Sequence, residues 1–519
     1  MSTLLKSLSD SLEIPLMQLN VLATEILALA LAFVYRHYLC PTKVSVLTRH
    51  VSATSLGICL LYFVYGSQSI HMFLLSGLCY VAILVSPTSI IHIVTFILSM
   101  AYLTNIHLQR VLETELDKYP VDVSGPLMLT TLKVTIVAFG LHDGLHRNQE
   151  TLIESHKRHS VRRKPTFLEF FSYMFYFQGV VAGPPAFYCD YQDFVKGENI
   201  HLPVNTQQRE MEINSNERKE GDINMELNPN SKKIHRLPPS PLKPVCVKLC
   251  ETLFWILLHV FVAPSFPALN NSDLTFIAAH SLPYRVVYAA ISMTCCKIKY
   301  YVIWLLGDAI SNASGLGFNG FTPSGEARWD LITSIKPLQL EMSTSAKVFI
   351  DNWNAQAVKW FRYVCYTRIP FQRTLFTFVL SALWHGFFLG YYFTFISAAF
   401  FITVSRMVRA KIRPYFLHSN SWKMFYDFLT FLLTYIAISY VGVPFNVLSY
   451  ENSMTFYNNM YWYLHIASVI MMLVCTFLLP TPPRQSEVKV TEAQQRSEVK
   501  VTEAPQQSEV KVTEKIKSS

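Results

Sequence analysis

The sequence predicts an all-α protein that threads a membrane many times. Three observations carry this. Of 519 residues, 51% are hydrophobic and 15% are charged, where a soluble domain carries about a quarter charged residues. The mean hydropathy is +0.27. Apolar runs recur along most of the chain, each close to the roughly 20 residues that one membrane crossing needs. The net charge of +9 suits basic loops beside an anionic leaflet. No basic stripe with interleaved aromatics marks a nucleic-acid surface, so nucleic acid is excluded as a partner.

Residues 1–18 read as an interfacial leader. They carry scattered charges and no small-residue cleavage site, so the first apolar run must act as its own insertion signal. The runs that follow are Leu19–Tyr35, Val51–Tyr65, Ile70–Val85 and Ser89–Leu103. Several are short for a straight crossing, which predicts tilted or hairpin-paired helices in a compact bundle. Thr104–Gly125 is polar. Leu127–Leu141 is the next apolar helix, and His142, Asp143 and His146 mark its exit. The two histidines are four apart and could share a helix face, but Gly144 and a single carboxylate make a poor metal site; no metal is expected.

Lys157–Lys164 is the densest basic run, which the positive-inside rule places in the cytosol. It reads as a headgroup-contacting face, or as an attractor of ligand phosphates. An aromatic-rich segment, Phe167–Val181, follows. Residues 189–244 are hydrophilic and read as a loop within the membrane domain. Val245–Ala263 and Arg285–Leu306 resume the apolar pattern. Ser314–Gly320 is glycine-rich but lacks the Gly-Lys-Ser/Thr ending of a phosphate-binding loop, so it reads as a tight turn. Asn270 and Asn312 begin glycosylation triplets that work only on the lumenal side.

Phe371–Val404 reads as a helix pair or one broken helix, with Gly386 and Gly390 as bends. Arg406, Arg409, Lys411 and Arg413 form a second basic cluster. Phe425–Val441 and Tyr461–Leu479 close a membrane domain spanning 19–480. Residues 481–519 form a tail in which Ser-Glu-Val-Lys-Val-Thr-Glu occurs three times, at 486, 497 and 508. Its few apolar residues predict disorder. The ten cysteines are scattered without a recurring Cys-x-x-Cys, so neither a zinc site nor a disulfide framework is indicated.

One residue stands out. Apart from His385 the run Phe376–Val404 holds no acid and no base, and an ionisable group at membrane depth is costly to keep without a use. Imidazole can take and release a proton near neutrality. A second polar knot, Asp351-Asn352-Trp353-Asn354, lies 31 residues upstream, enough for one helix to leave and another to return. No Gly-x-Ser-x-Gly elbow offers a nucleophile.

Trp384-His385-Gly386 with Gly390-Tyr391-Tyr392, Trp353-Asn354 and Trp329-Asp330 together resemble the membrane-bound O-acyltransferase family, in particular its lysophospholipid branch. The similarity is densest over 299–392. Weaker echoes lie at Asp122–Pro126, His142–Gly144 and Ala182–Pro184. The resemblance implies a bundle of about 10–11 membrane helices around an intramembrane reaction chamber. It implies His385 and Asn354 as the catalytic pair, acyl-CoA as a co-substrate with no further cofactor, and a lysophospholipid as acceptor. Within the branch, ethanolamine and serine lysolipids and unsaturated acyl chains are favoured, with lysophosphatidylcholine also possible. Trp353, Trp384, Tyr391 and Tyr392 would line the chamber, with Asp351, Trp329 and Asp330 as further substrate contacts. The terminal Lys515-Ile516-Lys517 resembles an endoplasmic-reticulum retrieval signal, which needs a cytosolic tail. The alternatives are a family member acting on a protein or sterol hydroxyl, and a polytopic transporter with His385 on a proton path. The transporter would call for internal symmetry, and none is visible.

Overall fold

The computed structural model describes residues 2–115, 122–199 and 239–480. The repeat tail and most of the hydrophilic loop therefore lie outside the described residues. The helices that matter here are α1 (Leu16–Tyr38), α2 (Val46–Tyr65), α3 (Ile70–Val85), α4 (Ile91–Glu115), α5 (Ser124–Leu145), α6 (Phe167–Phe175), α7 (Tyr188–Lys196), α8 (Leu242–Phe261), α9 (Leu282–Ser314), α10 (Ala355–Phe361), α11 (Arg373–His385), α12 (Leu389–Lys411), α13 (Asn420–Val447), α14 (Tyr450–Asn459) and α15 (Tyr463–Leu473). Among the described residues the one strand-like feature is an isolated bridge, Phe321 to Ala327. All-α architecture follows from a chain whose backbone groups must be paired internally at membrane depth.

Among the described residues, eight helical segments are long and apolar enough to cross a membrane, or nine if Tyr450–Asn459 and Tyr463–Leu478 form one broken span. The expected 10–11 membrane helices include short ones, which fall below that length. The runs expected at Val51–Tyr65 and Ile70–Val85 belong to one 40-residue helical stretch, Val46–Val85, interrupted at Gly66. α11 is only 13 residues long. The fourth run is also longer than expected: α4 continues through the segment that reads as polar, to Glu115. Its polar residues His107 and Arg110 find partners inside the protein, as shown below.

The contact clustering divides the chain into two units. The first holds Met1–Thr403 and Asp427–His465; the second holds Val404–Tyr426 and Ile466–Ser519. In the first unit, α5 is the central element. Along its most apolar stretch it is 83% buried, against 17% for α8, so α5 is walled by protein while α8 turns most of its surface outward. α4 packs along α5, α8 along α9, and α9 along α1. Exposed Leu74, Leu78, Val81 and Val85 lie on one stripe of α3, the pattern of a lipid-facing helix side. In the second unit, the Lys411 ammonium donates to the carbonyls of Cys475 and Leu479. Phe416 packs on Trp422, Phe425 and Tyr426.

The loop before α6 shows where the basic run goes. Thr166 and Glu169 form a reciprocal capping box at the start of α6, which satisfies two orphan N–H groups. Arg163 bonds the Glu169 carboxylate, Arg158 lies 3.3 Å from Asp190, and Lys164 donates to the Leu84 carbonyl at 2.7 Å. Much of the run's charge is therefore spent within the protein, which weakens its reading as a phosphate attractor. Asn312 is fully buried in α9, so its glycosylation triplet cannot carry a sugar in the folded chain.

Candidate active site

α11 and α12 form the helix pair expected of Phe371–Val404, and the break between them holds the Trp-His-Gly triplet. α11 stops because Gly386 adopts φ 125°, ψ −161°, a conformation that a residue with a Cβ rarely takes. The Gly386 N–H closes back onto the Ala382 carbonyl at 3.1 Å. α12 then starts against α13. Gly390 donates to the Leu448 carbonyl at 2.8 Å, and a Cβ there would lie 2.1 Å from the Pro444 carbonyl oxygen. Both glycines expected to be bends are thus required, one by its dihedral and one by close approach.

His385 is the last residue of α11. Its ring lies 5.6 Å from Tyr391, 5.1 Å from Phe395 and 5.2 Å from Phe445. It is only half-buried, although Trp384 and Gly386 on either side are buried. Among the described residues no hydrogen bond reaches its ring nitrogens. A buried polar atom normally has a partner; a half-buried imidazole without one is open to receive a ligand's donor. Trp384, whose ring meets the His385 ring edge-on at 4.9 Å, reaches into the core. Its indole N–H donates to the Met128 carbonyl at 3.2 Å, and its ring packs on Trp360 and Phe361 of α10.

Asn354 sits at the other end of α10, as its N-cap residue, with φ 42° and ψ 53°. Asparagine tolerates this left-handed conformation better than most residues. Its Oδ1 accepts from the Ala357 N–H at 3.4 Å. The acceptor half of the amide is thus occupied by the helix, which leaves the NH₂ half to donate elsewhere. Trp353 beside it packs among Tyr300, Trp304 and Phe349. Tyr300 in turn stands within electrostatic reach of Tyr391 and Arg110. A path of side chains joins the two motifs along α10, from Asn354 at its start to Trp360 and Phe361 and on to Trp384.

The other expected residues divide. Tyr391 belongs to the His385 wall. Tyr392 is half-buried on the neighbouring position of α12. Asp351 is engaged in ion pairs with Lys347 and Arg362. Trp329 and Asp330 belong to the glycine-rich turn: Trp329 packs on Phe318, and Asp330 accepts from Asn319 at 2.7 Å and pairs with Arg328. Arg36 of α1 also stands over the Trp329 ring at 6.0 Å, and none of these partners is His385. At the exit of α5, His142 donates to the Thr88 carbonyl at 3.0 Å and stacks on His92. Among the described residues, no cluster of three or more His, Cys, Asp or Glu could hold a metal.

Residues 60–443 match the membrane-bound O-acyltransferase family. The chain belongs to that family. It is similar to the human membrane-bound glycerophospholipid O-acyltransferase 2, with 38% identity over 93% of this chain and 89% of that one. The mouse membrane-bound glycerophospholipid O-acyltransferase 1 gives 38% over 93% of this chain and 95% of its own. The fruit-fly (Drosophila melanogaster) lysophospholipid acyltransferase 6 gives 38% over 91% of this chain and 62% of its own. The protein is thus a multi-pass membrane O-acyltransferase, which displaces the transporter reading.

Sequence reasoning passed over His107 and Arg110, which border the Trp-His-Gly turn. The available signal was a polar pair three residues apart, His107 and Arg110, at the end of an apolar run. That spacing puts both on one helix face.

Proposed function

We propose that this enzyme transfers a fatty acyl chain from acyl-CoA to the free hydroxyl of a lysophospholipid at the endoplasmic-reticulum membrane. His385 is the base and Asn354 the donor toward the carbonyl oxygen. The observation that carries this is the state of His385: half-buried, without a hydrogen bond on its ring among the described residues, in an aromatic wall at a helix break. The relatives' names, which specify glycerophospholipid and lysophospholipid acyl transfer, support the acceptor class.

The acceptor hydroxyl oxygen attacks the thioester carbonyl, the C–O bond forms and the C–S bond breaks. His385 takes the hydroxyl proton and returns it to the departing thiolate, so no cofactor is consumed. Positioned general bases contribute typically 10²–10⁴-fold in rate. The Asn354 amide N–H stabilises the oxyanion, an effect worth about 3–4 kcal/mol for one donor. Acyl transfer is direct, without an acyl-enzyme. Ethanolamine or serine headgroups and a monounsaturated acyl chain are the preferred pair, and the tail faces the cytosol.

The test uses microsomes carrying the chain or its His385→Ala form, given oleoyl-CoA and a panel of lysophospholipids, with products read by mass spectrometry. Product from the wild type alone, at equal protein levels, is expected. No product from any lysolipid would point to a protein or sterol hydroxyl. Product that survives the substitution would remove His385 from the mechanism.

A further inference from the structure

We propose that His107 of α4 is a positioning residue for His385: it holds the last turn of α11 and the Gly386 turn so that the His385 ring faces its aromatic wall. The inference rests on the reading of His385 as the base.

The last carbonyls of a helix have no intrahelical donor, and at membrane depth an unmet carbonyl is costly. The Trp384 carbonyl is one of these. The His107 ring supplies the donor from another helix: its Nε2 lies 3.1 Å from the Trp384 oxygen. Since a carbonyl only accepts, Nε2 carries the proton. His107 is 2% exposed, so no water replaces this bond.

The same ring meets the next residue. A Cβ built on Gly386 would lie 3.1 Å from His107 Nδ1 and 3.2 Å from its Cγ. The imidazole therefore fills the space that a side chain at 386 would occupy. Residue 384 is held by hydrogen bonds from two helices, α4 through His107 and α5 through the Met128 carbonyl. Residue 386 is held by its φ of 125° and by the His107 face. His385 sits between two fixed neighbours, so its Cα–Cβ direction is set by groups that never touch substrate. Arg110, one turn further along α4, stands over the Phe388 ring at 5.6 Å. The same helix face thus braces both ends of the α11–α12 turn. Small misplacements of a reacting group can cost about 10²-fold.

The experiment compares His107→Leu, His107→Gln and His385→Ala in detergent-solubilised, monodisperse enzyme, with kcat and KM for oleoyl-CoA and a lysophospholipid. Leucine fills the space without a donor. Glutamine can place an N–H near the Nε2 position. The expected result is a 10- to 100-fold loss of kcat in the leucine form, with both KM values within about twofold of wild type, and recovery of a third or more of the activity by glutamine. Leucine and glutamine forms of equal activity would overturn the proposal, as would a rise in KM with unchanged kcat. If the leucine form fails to fold, the glutamine form decides alone: a loss beyond tenfold in folded protein sinks the idea. A His385→Ala enzyme that retains activity would instead refute the base, a separate failure from that of His107.

Discussion

Two titratable sites in the first unit, one fully buried and one half-buried, are built on opposite plans. At the exit of α5, Asp143 is fully buried and surrounded by donors. Arg368 grips it with two bonds of 2.9 and 2.6 Å, His156 and Arg147 stand within 4 Å, and the guanidinium lies over the Phe139 and Tyr363 rings. At the end of α11, His385 has aromatic neighbours and, among the described residues, no bonded partner on its ring. A buried charge with every partner supplied fixes a fold, because its loss leaves the other charge stranded. An imidazole held in place from behind and left open in front is arranged to exchange a proton. The difference separates scaffold from chemistry among polar residues that look alike in a list.

That contrast predicts opposite phenotypes. His385→Ala should lower kcat by 10²–10⁴-fold while thermal stability in detergent stays within a few degrees of wild type. Asp143→Ala should do the reverse. Breaking a buried pair costs about 3–5 kcal/mol, so the variant should melt far lower, yet the folded fraction should turn over at a near-normal rate. Activity normalised to folded protein, measured beside fluorescence-detected melting, checks both. A catalytically dead but stable Asp143→Ala enzyme would erase the distinction. Removing Arg368 as well should cost less than the sum of the two single changes, because no charge is then left unpaired.

The Asn354 side sharpens the contrast, since there one amide serves both plans. Its Oδ1 caps α10, and its NH₂ is the proposed oxyanion donor. Asn354→Asp keeps the cap, since aspartate is an equal N-cap acceptor, but removes the donor. It should reduce kcat by about 10²–10³-fold with little loss of stability. Asn354→Ala should add a further stability loss of about 1 kcal/mol. Equal activity of Asp and wild-type enzymes would confine Asn354 to the cap.

How much of this is legible in the sequence depends on where a residue's partner lies. His385 and the Trp-Asn knot declare themselves because they are polar islands in or beside apolar runs, and a short window reveals that. The membrane class and the α11–α12 break at Gly386 are visible for the same reason. His107 is hidden because it sits in a stretch that reads as polar, and its partner, Trp384, is 277 residues away. The Asp143–Arg368 pair is separated by 225. Lys133 lies inside α5 in plain view, but its meaning depends on the Met174 carbonyl and the Tyr176 ring that receive it. Residue type announces that a polar group is buried; only the fold shows whether it is paired, and pairing is what distinguishes the two plans.

The smallest expected effect tests the same logic outside the membrane helices. Glu169 is paired like Asp143 but lies in the first turn of the short helix α6, against an Arg163 that is mostly exposed. The Arg163 hydrogen bonds are the largest cause, with the Thr166 N–H and hydroxyl adding to them, that lowers its carboxyl from 4.5 to about 2. A carboxyl depressed in the folded state contributes stability above its unfolded pKa and loses it as pH falls through the folded value. The contribution should therefore be complete at pH 6 and fade between about pH 4.5 and 2. Glu169→Gln removes the ion pair but can retain part of the capping box. It should lower stability at neutral pH by no more than about 1 kcal/mol, the scale of exposed pairs. Melting temperatures from pH 7 to pH 3 should fall less steeply for the glutamine form, with the gap to wild type narrowing. A parallel pair of curves would mean that Glu169 acts only as a cap. A gap as large as that of Asp143→Ala would mean that depth of burial is not what sets the strength of these pairs.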